Sequence, residues 1–215
     1  MMRRFVLLWA LLGVALCAPP VMARTLLVYG DSLSAGYGLP SDQAWVSLLA
    51  ERLKQQRLDY TVANASISGE TTLGGATRIN ATLARHKPAL VLIALGGNDG
   101  LRGHSVDAMR ANLEAIIDAC RKSKSQVVLI GMRLPPNYGS AYANKFHAVY
   151  LDVAKKHQLP LVPFLLDGFG DKPEWFQADG IHPAVRAQPM MLETVWKTLA
   201  PLVKPPGAAK GLRQP

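Results

Sequence analysis

The sequence predicts an α/β fold, a three-layer α/β/α sandwich with a parallel sheet of about five strands. Short apolar runs alternate with longer amphipathic segments, which is the order expected of a sheet covered by helices. The run 90–95 is continuously apolar, as expected for a central parallel strand buried on both faces. Of the 215 residues 49% are hydrophobic, and no internal repeat or second-domain boundary interrupts them, so we expect one core.

Five apolar segments have the length and composition of strands. Each is bounded by turn-forming or polar residues, and the first ends at Gly30, directly before Asp31-Ser32. The predicted strands are residues 26–30, 60–63, 90–95, 126–131 and 160–163.

The segments between the strands are predicted to be helices, because their apolar residues recur every three or four positions. Ser41 is expected to cap the first helix, and Thr71 or Thr72 to start the second. Leu73 is expected on the same side of that second helix as Ile79. The predicted helices run through residues 45–53, from 71 or 72 to 86, over about 105–123, around 146–153 and over about 187–199.

Residues 1–23 have the pattern of a cleavable signal peptide. Two arginines form a basic start, an apolar run follows to Cys17, and residues 21–23 make a small-residue cleavage site. The alternative is a membrane anchor, but Pro19-Pro20 interrupts the run before about 20 continuous apolar residues are reached. We therefore expect export, with the protein periplasmic or secreted.

The C-terminal end departs from the pattern of the rest of the chain. Residues 204–215 contain prolines and glycines but lack apolar spacing, so we expect a disordered tail. The mature domain is accordingly predicted to span residues 24–203.

The chain is basic, with a formal charge of +9. Cleavage after residue 23 would remove two arginines and no acidic residue, leaving +9 − 2 = +7. This excess favours peripheral contact with an anionic membrane surface. Nucleic-acid binding is not expected, because no Lys/Arg run or aromatic-basic stripe is present. Cys120 would be the one cysteine left, in an apolar helical pattern, so we expect a buried thiol and no intramolecular disulfide. We also expect a monomer.

Four polar segments follow or lie beyond the predicted strands. They are Asp31-Ser32, Ser68-Gly69-Glu70, residues 96–99 and residues 179–182. Ligands of an open parallel sheet bind outside the carboxyl ends of its strands, so these segments are expected to open toward one rim. Taken singly, each also has a structural explanation as a helix cap or a turn. Their convergence is what favours a site.

The residue types at that rim are those of nucleophilic catalysis. A serine hydroxyl needs a base within hydrogen-bond reach, and His182 is the best candidate to take the proton of Ser32. Asp179 would hold the imidazole in the required tautomer. The backbone N–H groups of Ser32 and Gly69 and the side-chain amide of Asn98 could stabilise negative charge on an attacked carbonyl oxygen. The alternative is that Asp179 and His182 form a turn that caps the last helix.

No metal and no cofactor are expected. The other four histidines have no suitably placed acid and serine, and no spacing suggests zinc. Gly36-Tyr37-Gly38 begins like a dinucleotide fingerprint, but Ser41 stands at the position of its third glycine. A P-loop and the Gly-x-Ser-x-Gly elbow are both missing from the sequence.

Four sequence blocks resemble those of the SGNH (GDSL) hydrolases and occur in the same order. They are Gly30-Asp31-Ser32-Leu33, Gly69, Gly96-x-Asn98-Asp99 and Asp179-x-x-His182. The likeness is greatest to the bacterial periplasmic thioesterase, protease and lysophospholipase group, also called arylesterases. Segments 64–72, 95–101, 133–139 and 179–189 carry that closer similarity.

The resemblance implies a flavodoxin-like SGNH hydrolase fold. It also implies Ser32 as nucleophile, His182 as base, Asp179 as its partner, and an oxyanion hole from Ser32, Gly69 and Asn98, without a metal or cofactor. An exported serine esterase acting on acyl esters, thioesters or lysophospholipids is the function it predicts.

Two alternatives to that function remain open. One is a carbohydrate O-acetyl esterase of the same chemistry, and the other is a noncatalytic lipid- or glycan-binding protein. Apolar residues expected near the mouth favour an acyl chain over a sugar. They are Leu33, Leu73, Leu101, Leu134 and Phe169.

Overall fold

The structure is a computed structural model that describes residues 23–204. The predicted signal peptide and the predicted tail lie outside the described residues, apart from the border residues Ala23 and Lys204.

A five-stranded parallel sheet forms the centre of the protein. Its strands lie in the order β2-β1-β3-β4-β5, which is the flavodoxin-like order. They are β1 (Arg24–Gly30), β2 (Tyr60–Asn64), β3 (Leu90–Ala94), β4 (Gln126–Ile130) and β5 (Leu161–Val162). The predicted α/β/α fold class is confirmed.

Seven helices connect or flank these strands in the described part of the chain. They are α1 (Ser32–Ala35), α2 (Trp45–Gln55), α3 (Thr72–His86), α4 (Gly97–Leu101), α5 (Val106–Lys122), α6 (Ser140–Lys156) and α7 (Gln188–Val203). Short 3-10 turns lie at Pro136–Tyr138, Pro173–Trp175 and Val185–Ala187.

The two faces of the sheet have separate cores. Alternation along β1 sends Leu26 and Val28 to one face, where helices α2 and α7 pack. Leu27 and Tyr29 point to the other face, against α3, α5 and α6. Cys120 is fully buried on that second face, and burial raises the pKa of its thiol to about 12. The strands read as continuous apolar runs because both faces are covered.

Several predicted details differ from the structure. Ser41 does not cap α2: that helix begins at Trp45, and the Ser41 carbonyl accepts a hydrogen bond from the Ser47 hydroxyl at 2.6 Å instead. Strand β5 is only two residues long, and α7 continues to Val203 although it contains Pro201.

Leu73 does not share the buried side of α3. Its exposed fraction is 64%, whereas Ile79 is buried. Six residues separate the two, which on an α-helix places them about 120° apart. The buried stripe runs through Thr72, Gly75 and Ile79 instead.

None of the helices between residues 23 and 204 combines the length and the apolar composition that crossing a membrane requires.

Candidate active site

Ser32 lies where the order of the sheet reverses. Strands β2 and β3 flank β1 on opposite sides, so the end of β1 opens at the topological switch point where ligands bind in such folds. Gly30 ends the strand, and a Cβ there would come within 2.9 Å of Ser34 and 3.0 Å of the Ala94 carbonyl. Only a glycine therefore lets the chain turn directly into α1 and present Ser32 as its first residue.

Asp31 anchors this turn. Its carboxylate accepts the Leu33 N–H at 3.0 Å as the N-cap of α1, and the residue is only 3% exposed. Burial raises the pKa of Asp31 to about 6, against the opposing effects of that hydrogen bond and of His182. The site thus contains a second acid, close to the histidine but distinct from Asp179.

His182 reaches Ser32 from the loop before α7. Its Nε2 lies 2.9 Å from the Ser32 Oγ, and its Nδ1 lies 2.7 Å from Asp179 Oδ2. The other carboxylate oxygen of Asp179 accepts the backbone N–H groups of Ile181 and His182 at 2.9 and 3.0 Å. These bonds from His182 and Ile181 lower the pKa of Asp179 to about 2.

The hydrogen-bond partners define the tautomer of the imidazole. An ionised Asp179 only accepts hydrogen bonds, so the Nδ1 of His182 carries the proton that it donates. In the neutral ring the Nε2 is then free to accept the Ser32 hydroxyl proton. The arrangement can therefore remove a proton from the serine and return it to a leaving group.

Two glutamine residues hold the histidine segment in place. Gln188 is buried, accepts the Trp45 N–H at 3.0 Å and donates to the Pro183 carbonyl at 3.2 Å. The backbone N–H of Gln177 donates to the His182 carbonyl at 2.8 Å. The segment is thus fixed to helix α2 and to its own preceding loop.

The segments that carry Gly69 and Asn98 follow the two strands that flank β1, namely β2 and β3. The loop after β2 lies against β1, where the Ile67 N–H donates to the Gly30 carbonyl at 3.0 Å. Gly69 has a φ of +79°, a left-handed conformation that favours glycine. Asn98 lies in helix α4 and lines the same cleft as Ser32.

Helices α3 and α4 bind the loop that carries Gly69. The Asn98 amide donates to the Glu70 carbonyl at 3.0 Å, and the Arg102 guanidinium donates to the Gly69 carbonyl at 3.1 Å. Arg78 forms an ion pair with the Glu70 carboxylate at 2.6 Å and donates to the Ala65 carbonyl at 2.9 Å. The loop is therefore tied down on both sides of Gly69.

Arg78 also connects this loop to strand β1, which ends just before Asp31-Ser32. Its guanidinium lies 4.1 Å from the centre of the Tyr29 ring, and Tyr29 immediately precedes Gly30. Asp99 adds a second connection, because its carboxylate accepts both the N–H and the hydroxyl of Thr72 at 2.9 and 2.6 Å. Asp99 thereby joins α4 to the start of α3.

A cleft of about 820 Å³ opens beside Ser32, His182 and Asn98. Its walls are largely apolar and are formed by the loops after β4 and β5 together with residues of helices α1 and α4. Besides the buried Asp31, the charged groups at the wall are Arg133, Asp167 and Asp171. The apolar lining is Leu33, Leu101, Met132, Leu134, Pro135, Pro136, Phe164, Leu166, Pro173, Phe176 and Ile181.

Three of the five apolar residues expected at the mouth line this cleft, namely Leu33, Leu101 and Leu134. Leu73 does not line it, and Phe169 is fully buried in the core, where it packs against Trp175 and Phe176. The sequence predicted no role for Gln177, Gln188 or the Arg78–Glu70 pair, because nothing in their spacing shows which groups they contact.

Within residues 23–204 no group of three or more His, Cys, Asp or Glu side chains is arranged to hold a metal ion.

Comparison of the chain with known proteins identifies its family. The model of the GDSL-like lipase/acylhydrolase family matches residues 28–188. The chain is 50% identical to Esterase TesA of Pseudomonas aeruginosa, over 93% of this chain and all of that one. It is 42% identical to thioesterase 1/protease 1/lysophospholipase L1 of Escherichia coli, over 84% of this chain and 86% of that one.

A solved structure agrees with these sequence matches. The crystal structure of TesA superposes with a TM-score of 0.81 at 52% identity, covering 83% of this chain and 99% of that one. The chain therefore belongs to the GDSL-like lipase/acylhydrolase family, the SGNH hydrolases, whose members hydrolyse ester bonds.

Proposed function

We propose that the protein is an exported serine esterase that hydrolyses acyl esters and thioesters through an acyl-enzyme on Ser32. The observation that carries the proposal is the continuous chain of hydrogen bonds from Ser32 through His182 to Asp179, open to an apolar cleft. Relatives named as an esterase and as a thioesterase and lysophospholipase support the same chemistry.

In the first step the Ser32 oxygen attacks the acyl carbonyl while its proton passes to the Nε2 of His182. The ionised Asp179 stabilises the resulting imidazolium across the 2.7 Å contact. The imidazolium then protonates the departing alcohol or thiol, which leaves the acyl group on Ser32. A water molecule activated by the same imidazole hydrolyses that ester and restores the enzyme.

The negative charge on the attacked carbonyl oxygen needs donors that are already in position. We assign this role to the backbone N–H groups of Ser32 and Gly69 and to the side-chain amide of Asn98. The Asn98 amide has two N–H groups; one is bound to the Glu70 carbonyl at 3.0 Å, which orients the other. Loss of one such donor typically reduces turnover by about 10²–10³.

The cleft supports an acyl substrate over an acetylated sugar. Half of its lining residues are Leu, Ile, Met, Pro or Phe, and such an apolar wall suits an acyl chain better than a hydroxyl-rich sugar. Hydrolysis of medium-chain p-nitrophenyl esters should therefore exceed that of acetylated xylose or glucose. The reverse preference would support the carbohydrate O-acetyl esterase.

The remaining parts of the proposal concern location and partners. The basic, apolar pattern of residues 1–23 supports export, and the net positive charge supports contact with anionic membranes. A small-molecule ester, thioester or lysophospholipid is the partner that the reaction requires.

The decisive test replaces the serine and uses its neighbour as control. Ser32→Ala should abolish p-nitrophenyl butyrate hydrolysis and labelling by a serine-directed fluorophosphonate. Ser34→Ala, two residues along the same helix, removes a hydroxyl outside the proposed hydrogen-bond chain and should keep both activities. An active Ser32→Ala enzyme would refute the nucleophile. An intact wild-type protein that neither hydrolyses nor reacts would favour a binding protein.

A further inference from the structure

An aromatic ring lies against His182 on the side of the nucleophile helix. The Tyr37 and His182 ring centroids are 4.4 Å apart, and their planes are inclined by 36°. This is within the range of offset aromatic contacts. Tyr37 is nevertheless 53% exposed, so the contact covers the imidazole without burying the tyrosine.

The turn that carries Tyr37 is itself fixed to the histidine segment. Gly36 ends helix α1 in a left-handed conformation, with a φ of +76°. The side-chain amide of Gln177 donates to the Tyr37 carbonyl at 2.9 Å and to the Pro183 carbonyl at 3.3 Å. Gln177 also donates its backbone N–H to the His182 carbonyl at 2.8 Å. Gln177 therefore contacts both the turn that carries Tyr37 and the segment that carries His182.

We propose that Tyr37 is a positioning residue for His182, with Gln177 holding the two loops at the distance that this contact requires. The proposal rests on the proposed function, because it assigns to Tyr37 a task in proton transfer through the histidine. The ring restricts the imidazole to the orientation that faces the Ser32 oxygen. Its π face also stabilises the imidazolium that forms when the serine proton is transferred.

Other charged groups act on the same imidazole. Asp179 contacts its Nδ1, and Asp31, buried behind Ser32, interacts with it electrostatically. Burial raises the pKa of Asp31 to about 6, so its titration contributes to any pH profile in the acid range. Substitution of Tyr37 changes neither aspartate, and a comparison among Tyr37 variants therefore isolates the ring.

The test compares Tyr37→Phe with Tyr37→Leu, using p-nitrophenyl acetate as a substrate too short to depend on the acyl cleft. The Phe variant keeps the π face and should stay within about twofold of wild type in kcat and KM. The Leu variant keeps apolar bulk without a π face, and its kcat should fall about two- to fivefold at unchanged KM. The acid limb of its kcat/KM profile should move to lower pH by roughly 0.4 to 0.7 unit.

A second variant tests the connection between the loops. Gln177→Ala removes the side-chain donor to the Tyr37 and Pro183 carbonyls but keeps the backbone bond to the His182 carbonyl. It should reduce kcat, and adding Tyr37→Leu to it should cause less further loss than Tyr37→Leu causes in wild type, because both act on one contact. Fully independent effects would overturn the role of Gln177.

The outcomes separate this inference from the proposed function. Equal kcat and equal acid limbs in the Leu and Phe variants would overturn the role of the Tyr37 ring while leaving a Ser32-dependent esterase intact. A loss in the Phe variant as large as that in the Leu variant would also overturn it, since the hydroxyl would then be responsible. Esterase activity that survives Ser32→Ala would overturn both.

Discussion

Asp31→Asn should make the protein more stable at neutral pH. Asp31 is only 3% exposed, and no ion pair to a basic side chain involves it among the described residues. Asparagine keeps a side-chain oxygen that can accept the Leu33 N–H, so the cap of helix α1 survives the change. What the substitution removes is a buried charge.

The pKa of Asp31 determines how large the stabilisation by Asp31→Asn is and over which pH range it develops. Burial raises it from 3.8 to about 6, so between these values the folded protein holds a proton that the unfolded chain has released. Folding stability contributed by this group therefore falls as pH rises from about 4 to 6, and stays low above 6. At 1.36 kcal/mol per pH unit the full difference is about 3 kcal/mol, as an upper limit.

Urea unfolding at pH 4, 5, 6 and 7.5 measures this directly. The difference in unfolding free energy between Asp31→Asn and wild type should grow from near zero at pH 4 to about 1–3 kcal/mol at pH 7.5. The exposed Asp42 provides a matched control, because Asp42→Asn makes the same chemical change without removing a buried charge. A difference in unfolding free energy that is constant with pH, or that is larger at acid pH, would refute the reasoning.

Three further predictions concern the site. Asn98→Ala should lower kcat for p-nitrophenyl butyrate by about 10²–10³ with little change in KM, and an unchanged kcat would refute the oxyanion-hole role proposed for Asn98. Asp179→Asn should lower kcat by up to about 10⁴. In wild type this acid, with its pKa lowered to about 2, stays ionised down to strongly acidic pH, so activity loss between pH 5 and 7 must come from other groups. Arg78→Met should destabilise the fold by about 2–3 kcal/mol in urea, because it leaves the Glu70 carboxylate unpaired, and adding Glu70→Gln should recover part of that loss.

Much of the architecture followed from local pattern. Continuous apolar runs indicated parallel strands covered on both sides, and the polar segments that follow Gly30 and Leu95 indicated where a site would open. These inferences depend on periodicity and chain order, which are visible in sequence. The predicted ends of the helices were less accurate: Ser41 does not cap α2, and α7 continues to Val203. Tertiary packing determines whether a marginal turn joins a helix.

The side of a helix that is buried was harder to predict. Leu73 is apolar but exposed, because a different side of α3 faces the sheet. On that side Gly75 packs against Tyr29 and Leu95. Phe169, expected at the mouth, is buried in the core instead. Composition alone cannot distinguish an apolar residue that lines a cleft from one that fills a core.

The sequence by itself therefore determined the fold class, the order of the polar segments and the residue types available for catalysis. Only the tertiary structure decided which side chains meet: Tyr37 on His182, Gln177 between their loops, and Arg78 beside both Glu70 and Tyr29. Each of these contacts joins residues far apart in the chain or depends on a backbone turn. Their geometry depends on how the helices pack on the two faces of the sheet, and a local pattern of residues does not encode that packing.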